Sequence, residues 1–168
     1  MELQALIAAT VVMAVLMGLA AWFDLKELRI PNWCVLAVVG LFIVTGLWGL
    51  PLDVFAWRFL HGVIVLFIGF GLYSISGGRV GGGDIKLIAA LTPFIAGKDV
   101  GLVLVVFALL SFAGLMIHRF VRGLLRDRKT GWAALDQKRF FPAGLLLGGT
   151  IMIYLGWQLA GHYMSAPS

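Results

Sequence analysis

Gly81-Gly82-Gly83-Asp84 is a glycine loop that ends in a carboxylate where a hydrophobic segment begins. A second aspartate, Asp24, stands where the first hydrophobic segment ends. Two carboxyls at close range resist ionising together and share one proton. One then acts as base on a water while the other, protonated, polarises a carbonyl. Glycines beside one of them let a peptide backbone approach and let the loop move. The pair has the chemistry of amide hydrolysis, provided that the fold brings both aspartates to one place. Each alone has a plainer reading: Asp84 as the N-cap of the helix that follows, and Asp24, beside Lys26 and Arg29, as a solvated charge. The glycines could also form a nest for an anion. An acidic residue at their end argues against phosphate, and the lysine spacing of a P-loop is missing.

The elements that must position these residues are membrane helices. Hydrophobic residues make up 61% of the 168 and charged residues 12%, against about 45–50% and roughly 25% in a soluble domain. The expected fold is an all-α polytopic membrane protein, one domain over residues 1–168, with six transmembrane helices and both termini outside. The spans are expected near residues 3–23, 33–50, 59–75, 85–96, 100–117 and 141–161, with Pro31-Asn32 starting the second. The alternating loops then separate the basic residues. Lys26, Arg29, Arg79, Lys86, Arg119, Arg122, Arg126, Arg128, Lys129, Lys138 and Arg139 fall on one side, and only Arg58 and Lys98 on the other. By the positive-inside rule the first side is cytoplasmic. Asp24 and Asp84 both fall on it, which the span assignment did not require. This asymmetry also explains the net charge of +5 without nucleic acid.

Span four is short. Asp84 to Lys98 is 14 residues, about 21 Å of helix, against a hydrocarbon core of about 30 Å. Either the bilayer thins there or Asp84 lies below the surface in a water-filled cleft, where an ionisable residue is a functional candidate. Gly144 and Gly148 have the small-xxx-small spacing of closely packed helices. The lone Cys34 allows no intrachain disulfide and reads as a packing residue; His61, His118 and His162 lie far apart. No metal site and no cofactor is expected. The stretch from His118 to Phe140 mixes basic and apolar residues, as a cytoplasmic loop or a segment lying on anionic lipid would. Lys86 lies two residues beyond Asp84, so on a helix the two do not share a face. It would anchor the span by snorkelling or receive an acidic group of a substrate.

Three short blocks carry a family resemblance: Asp24 with Ile30-Pro31-Asn32, the run Gly78-Arg79-Val80-Gly81-Gly82-Gly83-Asp84-Ile85-Lys86, and Phe141-Pro142-Ala143-Gly144. With them, and with its span number and order, the chain resembles the type IV prepilin peptidases, aspartyl proteases with a glycine-x-glycine-aspartate motif. The resemblance implies Asp24 and Asp84 as the catalytic pair, with Gly81, Gly83 and Lys86 supporting the loop or binding substrate. It implies cleavage of a short basic leader from prepilin or pseudopilin precursors at the cytoplasmic face of the bacterial inner membrane. It also suggests a glutamate of the precursor, a few residues past the cut, as the partner of Lys86. Larger members carry a cytoplasmic region with paired cysteines, associated with N-methylation. This chain has no such region and one cysteine, and looks more like the branch serving Flp-type, tight-adherence pili. Two other classes compete. A small transporter or channel would carry acidic residues in mid-span, where the expected spans have none. A non-catalytic pilus or secretion assembly factor would tolerate loss of both aspartates.

Overall fold

The computed structural model describes residues 1–77, 81–124, 131–136 and 143–165. Within them all regular structure is helical: α1 (Leu3–Glu27), α2 (Asn32–Gly49), α3 (Leu52–Ile75), α4 (Gly82–Leu91), α5 (Val100–Leu124), α6 (Ala133–Asp136) and α7 (Ala143–Ser165). Two 3₁₀ turns, Thr92–Phe94 and Gly97–Asp99, link α4 to α5. Five helices are long and apolar enough to cross a membrane: α1, α2, α3, α5 with its preceding turn, and α7. The fourth expected span is not a crossing helix of that kind. Residues 82–96 form the ten-residue α4, one 3₁₀ turn and extended backbone at Ile95 and Ala96.

The observed helices outrun the apolar windows. α3 begins at Leu52 rather than at residue 59, because Pro51 starts it and Asp53 sits in its first turn, where an acidic residue suits the helix dipole. α5 runs on past residue 117 through His118 and Arg119. α1 continues through Asp24 and ends where Leu28 turns left-handed (φ 53°, ψ 38°), its N–H bonded to the Asp24 carbonyl at 2.9 Å.

The core lies between α1, α2, α4 and α7. On α1 the buried residues are Ala5, Leu6, Ala9, Met13, Leu16, Met17 and Ala20, a stripe at three- and four-residue spacing. Its other face, including Val11 and Val15, is exposed and equally apolar, as lipid contact requires. Small residues bring helices close: a side chain at Gly148 would stand 3.2 Å from Met17 Cβ. Cys34 is fully buried, its thiol directed at the Leu16 carbonyl at 3.4 Å. α4 is packed among α2, α3 and α7, while α5 lies outside against α7.

The end of α4 is held by side chains. The Tyr154 hydroxyl accepts the Ala96 N–H at 3.0 Å and donates to Asp99 Oδ2 at 3.0 Å. Gln158 Nε2 donates to the same Asp99 oxygen at 2.8 Å. A backbone that leaves helical geometry inside an apolar layer needs such partners. This cluster lies at the end of the bundle opposite Asp24 and Asp84.

Candidate active site

Asp24 continues the buried stripe of α1, one turn beyond Ala20, and is only 5% exposed. Its inward direction follows from helical spacing. There it meets the start of α7: the Gly144 N–H donates to Asp24 Oδ2 at 2.7 Å, and the Leu145 N–H is a second donor. These are N–H groups that an α-helix leaves without internal partners. They and the positive end of the helix dipole compensate for taking this carboxylate out of water.

Asp84 comes from α4. It is not the N-cap, because the helix already begins at Gly82; Asp84 stands in its first turn, and the cap residue Gly81 makes no side-chain bond. Its carboxyl is pushed up from 3.8 to about 6, first by burial and then by the charge of Asp24. The two aspartates are therefore electrostatic neighbours, although sixty residues apart in sequence. Ile30 stands between the two loops, within reach of Gly83 on one side and Gly144 on the other.

Two glycines make room for the carboxyls. A Cβ at Gly81 would lie 2.5 Å from Asp84 Oδ2, and one at Gly144 would lie 2.9 Å from Asp24 Oδ2. Gly83 is different: its Cβ would meet Ile30 at 3.5 Å, an ordinary contact. Lys86 points away from Asp84, and its Nζ donates to Asn32 Oδ1 at 3.1 Å, tying α4 to the start of α2.

The site thus unites Asp24, Asp84, Gly81 and Gly83, with Lys86 at its edge. The roles of Gly144 as donor and Asn32 as partner of Lys86 were not legible in advance. The signal was present in both cases, since Asn32 and Gly144 lie inside two of the three short blocks. Gly78, Arg79, Val80, Phe141 and Pro142 of those blocks lie outside the described residues, as do residues 125–130 and 137–140 of the basic stretch. Among the described residues no three His, Cys, Asp or Glu side chains converge as a metal site.

No curated protein and no solved structure matches the chain. The type IV leader peptidase family matches it over residues 11–119, more than half its length and a stretch containing both aspartates. With that match, over a helical membrane scaffold that holds the buried Asp24 and the half-buried Asp84 at one end, the chain belongs to the type IV leader peptidase family.

Proposed function

We propose that the chain is an aspartyl endopeptidase whose Asp24 and Asp84 cut the short basic leader from Flp-like prepilin or pseudopilin precursors. The reaction takes place at the cytoplasmic face of the bacterial inner membrane. The observation that carries this reading is the placement of two carboxyls, from α1 and α4, near enough that the charge of Asp24 adds to burial in pushing the Asp84 carboxyl up to about 6.

The pair holds one proton in the active state, and Asp84 holds it. The Asp24 carboxylate, oriented by the Gly144 N–H, takes a proton from water, and the hydroxide oxygen bonds to the carbonyl carbon. Asp84 gives its proton to the carbonyl oxygen, forming a neutral gem-diol. Asp24 then passes its proton to the amide nitrogen as the C–N bond breaks. Asp84 recovers a proton from the diol hydroxyl as the new carboxyl group forms. Both side chains return to their starting states and no covalent intermediate arises. The orientation, with both termini outside, is supported by the eleven-to-two division of basic residues.

Asp24→Ala and Asp84→Ala, and equally the Asn variants, are expected to lose processing of a purified prepilin by more than about a thousandfold while still inserting in the membrane. Product formation by gel shift measures this. Substantial cleavage by any of the four variants would rule out the dyad.

A further inference from the structure

Ile30 fills the space between the two helix starts that meet at the carboxyls. A Cβ added at Gly83, in the first turn of α4, would stand 3.5 Å from Ile30 Cβ and 3.7 Å from Ile30 N. A Cβ added at Gly144, at the start of α7, would stand 3.1 Å from Ile30 Cδ1 and 2.9 Å from Asp24 Oδ2. The root of this side chain therefore lies against the helix of Asp84. Its tip lies against the residue whose N–H holds Asp24. Both neighbours are glycines, so Ile30 meets backbone on each side rather than a side chain that could swing away.

Ile30 is itself held in place. It belongs to a four-residue connector, residues 28–31, between α1 and α2. Its neighbour Arg29 is exposed, while Ile30 turns inward and packs on the core. At one end of the connector the Leu28 N–H bonds to the Asp24 carbonyl oxygen at 2.9 Å. Leu28 is left-handed there (φ 53°), and among the described residues no other non-glycine has a positive φ. Side chains of this size seldom adopt that conformation. At the other end the Pro31 carbonyl accepts the Cys34 N–H at 3.0 Å, and Asn32 Oδ1 accepts a hydrogen bond from Lys86 Nζ at 3.1 Å. The connector thus runs from the backbone of Asp24 to the helix of Asp84, and Ile30 projects from it between the two.

We propose that Ile30 is a positioning residue for the reaction, a spacer whose length sets how far the first turn of α4 stands from the start of α7. That separation decides how Asp84 faces Asp24. The proposal rests on the peptidase reading. Without the Cδ1 methyl the two helix starts close up or water enters between them, and either change moves one carboxyl relative to the other. Burial is the larger cause of the raised Asp84 carboxyl, and an apolar spacer at this point helps to keep water from it. Ordinary core packing would leave the pair indifferent to the last methyl of this side chain.

The test compares two small changes. Ile30→Val removes only the Cδ1 methyl and keeps the branched Cβ beside Gly83, while Ile30→Leu keeps volume and reach. With a purified prepilin, Ile30→Val should lower kcat about tenfold, as a small misplacement of reacting groups does, and leave KM within about twofold. Its thermal midpoint should fall by no more than about 5 °C. The alkaline limb of kcat/KM should move below the wild-type value of about 6. The midpoint of the protonated-carboxyl stretch, read by infrared titration without substrate, should move with it. Ile30→Leu should return kcat to within about threefold of wild type and restore the limb. A slower Ile30→Val with an unmoved limb and infrared midpoint would overturn the spacer, and so would an equal loss in Ile30→Leu, because loosened packing predicts both. Wild-type kcat in Ile30→Val would overturn it too. In each of these cases cleavage by the wild type keeps the peptidase reading. Failure of the wild type to cut the prepilin would remove that reading, and the proposal with it.

Discussion

Asp84 is raised by two causes of unequal size, and the order has consequences. Burial is the larger and the charge of Asp24 the smaller. Asp24→Asn should therefore lower the Asp84 pKa but leave it above 3.8, as read from the protonated-carboxyl stretch in infrared titration. No downward shift would mean that the two groups do not interact. In the wild type, kcat/KM should fall as pH rises through about 6, because the acid role needs the Asp84 proton. The effect on stability has the same sign. The folded protein holds this proton in a range where the unfolded chain has lost it, so the contribution is complete below about pH 4 and is lost as pH rises to about 6. The glycines divide just as clearly. Gly81 has ordinary backbone angles (φ −63°, ψ 119°), so alanine fits the chain, but its methyl displaces the Asp84 carboxyl. Gly81→Ala should keep its thermal midpoint within about 2 °C, since only the end of one side chain must move, and lose activity about a hundredfold. Gly83→Ala should keep both, and a matching loss there would point to a backbone role instead.

At the scale of elements, α4 is the piece that sets the site apart from an ordinary bundle. A ten-residue helix delivers Asp84 to the carboxyl of α1 at one end and must be fastened at the other. Tyr154 does the fastening by serving both the Ala96 N–H and the Asp99 carboxylate. Tyr154→Phe keeps the ring, strands the part-buried Ala96 N–H and leaves Asp99 Oδ2 with Gln158 alone, and an unpaired group of this kind costs about 1–3 kcal/mol. The variant should melt several degrees lower in detergent, and an unchanged midpoint would show that Gln158 alone holds Asp99. The buried stripe from Ala5 to Ala20, which directs Asp24, was not legible, because the other face of α1 is equally apolar. The fold was legible where long apolar runs stood alone and where Pro31 marked a helix start. It was less legible where charges interrupted apolar runs. Asp53 and Arg58 hid the first seven residues of α3, although a polar first turn is normal for a helix that emerges from a membrane.

For the whole molecule, the two ends of the bundle differ in kind. One gathers Asp24, Asp84, Lys86 and Asn32; the other holds Arg58, Asp99, Tyr154 and Gln158, with Met1 near them. The expected orientation puts the first in the cytoplasm. Single cysteines at Arg119 and Asp53 should test it, because Cys34 is fully buried and stays silent. In sealed inside-out vesicles an impermeant maleimide should label Arg119→Cys and spare Asp53→Cys. The reverse pattern would invert the topology and move both aspartates to the outer face.

Composition and hydrophobic runs by themselves determined that this chain is a helical membrane protein, because a 61% apolar sequence has no other way to satisfy its surface. The short motifs picked out the two aspartates, since few other patterns put a carboxyl after glycines at a helix start. Only the tertiary structure decided that the aspartates are neighbours, that Gly144 orients Asp24, and that Asp99 and Tyr154 hold the far end of α4. These contacts join residues 55 to 120 positions apart, and side-chain spacing along one helix carries no information about which other helix it will face.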